Sequence, residues 1–322
     1  MNAHHWQPTA DLSALKARAK LLNDIRRFFD LAEVMEVDTQ CLSKAAVSDP
    51  FIDTLEVHYQ THPGAVADIH FLQSSPEYAM KRLLAAGSGA IFQLGKVFRN
   101  GEVGRLHNPE FTMLEWYRPG FTLDQLIDEV QALVRSVLDT PSWHRFSYRE
   151  LFQHYLHIDP HTASLSHLQS LVRAQIDAPF DDPRRDTWLE LLMSELIEPR
   201  LIDPTLVYDF PASQAALAEV STDAYGESVA RRFELYAGGM ELANGYQELR
   251  DAKEQHDRLQ ADLTLRSELN LPVRPSEQRL VSALDSGIPF CAGVALGFDR
   301  LLMIKLGARH IRDVIPFAFD RA

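Results

Sequence analysis

Leu12, Leu15, Ala19, Leu22, Ile25 and Phe29 recur at three- and four-residue steps, the period of a helix that buries one face, and Asp11 stands where an N-cap belongs. The spacing predicts a helix over 12–29 and a short strand over 34–39. Ser75-Pro76-Glu77 reads as N-cap, first-turn proline and first-turn acid of a second helix, running from Tyr78 to Ala86 and stopped at Gly87. Two strand-like stretches, 90–99 and 111–117, flank a polar loop carrying two glycines, a histidine and an asparagine, and predict an antiparallel hairpin. From Phe121 to about Leu201 the pattern is mostly helical, broken by clusters such as Ile158-Asp159-Pro160 and Phe180-Asp181-Asp182-Pro183. Strands follow at 207–210, 232–236 and 241–249, then a charged helix near 251–269, a glycine-rich strand from Phe290 and a helix over 298–306 that Gly307 ends. Strands and helices without regular βαβ alternation indicate an α+β fold with a largely antiparallel sheet flanked by helices.

Composition narrows the function classes. The 322 residues are 46% hydrophobic and 24% charged, enough apolar side chain for a sizeable core and unlike a disordered or fibrous chain. A formal charge of −13 disfavours a broad nucleic-acid or anionic-membrane surface. Cys41 and Cys291 are too few and too far apart for a disulfide framework or a structural zinc site, which fits a reducing cytoplasm. The start of the chain, with its polar His4-His5 pair, lacks the basic-then-apolar pattern of an export signal, and no stretch approaches the roughly 18 apolar residues of a membrane span. No repeat or Gly/Ser linker marks a boundary, so the reading is a single domain over 1–322 with a mostly helical insertion at about 121–201.

Common phosphate and nucleophile motifs are missing. The segment from Gly89 to Val97 imitates a Walker loop, but its glycine spacing is one residue too long and Val97 replaces the hydroxyl. His154 and His157, three apart on a predicted helix, lack a third metal ligand. The informative pattern is a set of charged side chains on strands. A two-residue period puts Phe111, Met113, Glu115 and Tyr117 on one face, so that a carboxylate and a phenol point the same way and suit an ammonium group. Asn244, Tyr246 and Glu248 align likewise, with Glu234 and Glu241 upstream; acids gathered on one sheet face call for a cation, Mg²⁺ or an amine, unless they are simply solvated. Arg99, His107 and Arg300 together offer a site for polyphosphate.

In this order these segments resemble the catalytic domain of class II aminoacyl-tRNA synthetases, most closely the lysine-specific branch. The helix and strand up to Thr39 look like motif 1, Phe98 to Tyr117 like motif 2, and Gly293 to Arg300 like motif 3, while Glu241 to Leu249 is similar to the lysyl branch between motifs 2 and 3. Full lysyl-tRNA synthetases carry an N-terminal OB domain that reads the anticodon, whereas only about ten residues precede the first helix here. In that respect the chain resembles the stand-alone paralogues that attach (R)-β-lysine to translation elongation factor P.

The resemblance implies a ligase that uses ATP and Mg²⁺, takes (R)-β-lysine or L-lysine, acts on elongation factor P rather than tRNA, and forms a homodimer through motif 1. A minimal synthetase charging tRNA or a small amine, and a catalytically silent regulatory paralogue, are the alternatives. Carried over residue by residue, it implies that Arg99 binds the α-phosphate and the attacking carboxylate, and that Asn100, Gly101, His107 and Asn108 contact ATP. Phe111 and Arg300 would take the two faces of adenine, the backbone of Glu241, Leu242 and Gly297 would line the nucleotide, and Glu234 and Glu241 would hold the metal. Ser75, Pro76 and Glu77 would meet the inner amine, with Glu115, Tyr117, Asn244, Glu248 and Ala295 around the rest of the substrate.

Three departures from the family pattern stand out: Gln40 for the proline that ends motif 1, Gly101 at a glutamate position with Glu102 one residue later, and Ala295 for glycine. The added methyl of Ala295 can shift discrimination between lysine isomers by roughly 1–3 kcal/mol, and this alanine matches the elongation factor P ligases. Glu241 and Glu248 are seven apart, so a regular strand would set them on opposite faces, and a bulge is expected near Asn244-Gly245.

Overall fold

The computed structural model describes residues 6–139 and 142–322; His4 and His5 lie outside the described residues. Two compact units divide the chain, Met1–Phe121 with Arg250–Ala322, and Thr122–Leu249.

The first unit opens with helix α1 (Leu12–Leu31), whose N-cap Asp11 accepts from the Ala14 N–H at 2.7 Å. Then come β1 (Met35–Glu36), β2 (Leu42–Ser43), β3 (Glu56–Tyr59), β4 (Asp68–Leu72), α2 (Glu77–Ala85), β5 (Ile91–Phe98) and β6 (Glu110–Pro119). The second unit holds α3 (Leu123–Val137), β7 (His144–Ser147), α4 (Tyr148–Leu156), α5 (Leu165–Gln175), α6 (Arg185–Leu191), β8 (Thr205–Pro211), β9 (Val220–Thr222), β10 (Ser228–Ala237) and β11 (Met240–Gln247). Returning to the first unit, the chain adds α7 (Ala252–Glu268), α8 (Gln278–Ser286), β12 (Cys291–Gly297) and α9 (Phe298–Leu306), which Gly307 ends in the left-handed conformation that glycine adopts without strain.

In the first unit β1, β5, β6 and β12 lie side by side, antiparallel except for the parallel β1–β5 pair. α1 covers their back face: Phe29 stacks on Phe92 at 4.5 Å and meets Trp116 edge-on at 5.3 Å. Beside this apolar layer sits a buried polar knot. Arg18 of α1 donates to Asp299 and, at 2.6 Å, to the Thr112 hydroxyl, while the Thr112 N–H donates to the second Asp299 oxygen at 2.7 Å. In the second unit β11, β10, β8 and β7 form the ladder, with β9 on β10, and Tyr148, Phe152, Trp188 and Phe210 anchor the core.

The long periodic elements lie where the sequence predicts them. Differences fall at ends and in short strands. The strand expected over 34–39 pairs only at Met35–Glu36, and α2 begins at Glu77 with Pro76 at its cap; the Ser75 hydroxyl still accepts from the Glu77 N–H at 3.0 Å. The small antiparallel sheet β2-β4-β3 has mostly exposed or half-buried positions and so carries no alternation to read. His157 caps α4 in a left-handed conformation and the His154 ring lies near that of Phe146 at 5.7 Å, so the two histidines share no helical face. A bulge does interrupt β11, but at Leu242 rather than Asn244-Gly245, where the ladder with β10 is unbroken.

Candidate active site

The front face of β6, opposite α1, carries Phe111, Met113, Glu115 and Tyr117. Ladder register sets Glu115 between Gln93 of β5 and Ala295 of β12, Met113 between Gly95 and Gly297, and Tyr117 between Ile91 and Gly293. Small residues on both flanks thus keep the sheet surface low around Glu115. The Ser75 hydroxyl donates to Glu115 Oε2 at 2.7 Å and the Tyr117 hydroxyl to Oε1 at 2.6 Å. Glu77, the first residue of α2, accepts at 2.6 Å from Nζ of Lys81 one turn along, and Lys81 is only 1% exposed. Burial, and then the nearby Glu77 carboxylate, push Glu115 up to about 8, with the two hydroxyl bonds and Lys81 pulling the other way. A carboxyl so placed ionises more readily beside a cation.

Arg99 follows β5 directly, its N–H donating to the Pro109 carbonyl at 2.9 Å. Its guanidinium stands 5.1 Å from the Phe111 ring centre, its Nε makes no hydrogen bond among the described residues, and Glu102 lies 3.8 Å away. Gly101 makes the turn between them at φ +76°, so the acid displaced by one residue relative to the family pattern still reaches the arginine. Across the site, Arg300 Nη2 and His107 Nε2 meet at 2.8 Å, joining the motif 2 loop to the first turn of α9. Asn100 and Asn108 are tied elsewhere: Asn100 Nδ2 donates to Asp53 at 2.6 Å, and both ends of the Asn108 amide are taken by the Glu110 carbonyl and the Phe319 N–H. Their side chains shape the loop.

In the second unit the Leu242 bulge decides which way the carboxylates point. Leu235 opposes Ala243 and Tyr236 opposes Glu241, leaving Leu242 as the extra residue. Glu241, Asn244 and Tyr246 therefore share a face with Arg232, Glu234 and Tyr236 of β10. Glu234 accepts from Arg232 and Tyr236, and from Asn244 Nδ2 at 3.3 Å. Burial and the neighbouring Glu241 push Glu234 up to about 7 against the pull of Arg232. Glu248 lies just past the ladder, buried beside an isolated bridge to Ala218.

The sequence reading missed Lys81, Gln93, Arg232 and Tyr236. Each had a signal: Lys81 is at i+4 from Glu77, Arg232 and Tyr236 are two residues either side of Glu234, and Gln93 becomes a neighbour of Glu115 once the hairpin register is drawn.

An antiparallel sheet with an arginine at the end of one strand, a second arginine in the first turn of the helix after a glycine-rich strand, and carboxylates on strand faces is the arrangement of a class II synthetase-type ligase. The family model of the class II tRNA synthetases (D, K and N) matches residues 6–321, and the chain belongs to this family. Among its relatives, the elongation factor P (R)-beta-lysine ligase of Haemophilus ducreyi is 48% identical over 320 residues, 99% of this chain and 97% of that protein. The ligases of the same name from Haemophilus influenzae (strain PittGG) and Proteus mirabilis are each 47% identical, over 99% and 98% of both chains.

Proposed function

We propose that the protein is an ATP-dependent, AMP-forming ligase that activates (R)-β-lysine, or L-lysine, as an adenylate and transfers it to a lysine side chain of translation elongation factor P. The observation that carries this reading is the ammonium-ready Ser75-Glu115-Tyr117 cradle in a chain similar over almost its whole length to ligases of that name.

In the first step a carboxylate oxygen of the amino acid attacks the α-phosphorus of ATP and pyrophosphate leaves with the electron pair of the broken bond. Little acid or base is needed; the work is alignment and offset of charge, which Arg99 and Arg300 supply as permanent cations. Phe111 and Arg300 take the faces of adenine, His107 steadies Arg300, and the backbones of Gly101, Leu242 and Gly297 border the nucleotide. Glu115 receives an ammonium between the Ser75 and Tyr117 hydroxyls, with Glu77, Asn244 and Glu248 taking the remaining polar groups and the Ala295 methyl limiting the space beside Glu115. Glu234 and Glu241 suit Mg²⁺, since two carboxylates on one face, one raised by the other, are relieved by a divalent cation that prefers oxygen ligands. When bound, the ion offsets phosphate charge. In the second step the acceptor lysine amine attacks the acyl carbon, AMP leaves, and an amide forms with loss of a proton.

On this reading the whole chain is one catalytic domain, the helices within about 121–201 are an insertion in it, and the enzyme works in the cytoplasm as a homodimer. Among the described residues no helix is long and apolar enough to cross a membrane. The test is the intact mass of elongation factor P after incubation with the protein, Mg-ATP and either lysine isomer, with tRNA-Lys charging in parallel. One lysyl addition to the factor and uncharged tRNA is the expected result; an unmodified factor with charged tRNA overturns it in favour of a minimal synthetase.

A further inference from the structure

Gln93 lies beside Glu115 on the same sheet face, yet nothing in the proposed chemistry uses it. The residue is 5% exposed, and its Oε1 accepts the Thr39 N–H at 2.8 Å. That bond settles the orientation of the amide, because a backbone N–H can be met only by the oxygen end. The NH₂ end is left over. It makes no hydrogen bond among the described residues and is not one of the fully shielded unpartnered atoms. It lies over Gly95, 3.5 Å from the position a Cβ would take there, and so is turned toward the end of β5 where Arg99 follows.

An amide NH₂ only donates. Of the groups on a diamino acid, both ammoniums are themselves donors, and the carboxylate alone accepts. We propose that Gln93 is a substrate-contacting residue that donates from Nε2 to the carboxylate of the amino acid, and so selects diamino acids over plain diamines between the amine cradle at Glu115 and the cation at Arg99. Thr39, at the end of the motif 1 segment, positions it; Gly95 leaves the space. The inference rests on the proposed function and names one further contact within the same site.

Titration calorimetry of L-lysine and of cadaverine, the diamine without the carboxylate, against wild type and Gln93→Met tests it. Lysine binding is expected to weaken about tenfold in the variant while cadaverine binding stays within about twofold. Equal weakening of both ligands, or of neither, overturns the assignment. If Gln93→Met does not melt cooperatively, Gln93→Glu serves, since a carboxylate oxygen still accepts the Thr39 N–H; lysine must then lose affinity relative to cadaverine, and an unchanged ratio overturns the assignment. Wild-type protein that binds neither ligand overturns the proposed function itself, and this inference with it.

Discussion

Replacing Glu115 by glutamine keeps the side-chain shape and removes one potential negative charge from a position 2% exposed to solvent. In the free protein the carboxyl is raised to about 8, so it is mostly protonated at pH 7 and mostly ionised at pH 9. The folded state therefore holds a proton that the unfolded chain has released. Glu115 contributes stability that is complete below the ordinary carboxylate range and is lost as pH rises through about 8. An ammonium binds the ionised form, so amine affinity should climb about tenfold between pH 7 and 9, with close to one proton released per amine bound at pH 7. Glu115→Gln forfeits a charge-assisted bond of about 1.5–3 kcal/mol, roughly a 10- to 150-fold rise in KM for the amino acid at pH 9. ATP should be little affected. The assay is amino-acid-dependent pyrophosphate exchange from pH 7 to 9, with proton release read from calorimetry in two buffers of different ionisation heat. A variant-to-wild-type KM ratio that does not widen with pH, or equal changes in the KM for ATP, would refute the reasoning.

Arg300→Ala should abolish adenylate formation, measured by pyrophosphate exchange, with an unchanged far-ultraviolet dichroism spectrum, because the half-exposed side chain supports His107 rather than the core. Arg18→Met should cost about 3–5 kcal/mol of unfolding free energy in denaturant, since it strands Asp299 in a buried position; a midpoint equal to wild type would show that the knot is not load-carrying. Thr122→Ala removes the capping box of α3, in which Thr122 and Gln125 satisfy each other's backbone N–H, and should cost about 1 kcal/mol by the same measurement.

Much of the side-chain geometry around Glu115 is legible in residue order alone, for a physical reason. Glu115 and Arg300 sit on long elements whose two-residue or 3.6-residue periods fix which way side chains point, and Arg99 directly follows one, so the FTMLEWY alternation by itself aligns Glu115 with Tyr117. Ser75 was legible as a turn hydroxyl before a helix, though not its bond to Glu115, which joins residues forty positions apart. The signals of Gln93 and Lys81 are faint, because a glutamine on a strand and a lysine on a helix look like ordinary surface residues until register and burial are known. The Leu242 bulge was foreseen in kind and misplaced by two residues. A period-two argument shows that an extra residue is needed between two acids but not where the ladder can admit it, and the buried Leu242 is where it does.

That bulge makes the second unit's chemistry a matter of parity. Glu241 and Asn244 are separated by an odd number of steps, yet they face the same way because Leu242 is not counted by the partner strand. Removing Leu242 would preserve the orientation of Glu241 while deleting a core side chain, whereas adding a single residue beside it would send Glu241 through the sheet unless the kink absorbed that residue too. Length variation in this stretch is therefore tolerated in twos, and an odd change is neutral only where it is swallowed by the irregularity itself.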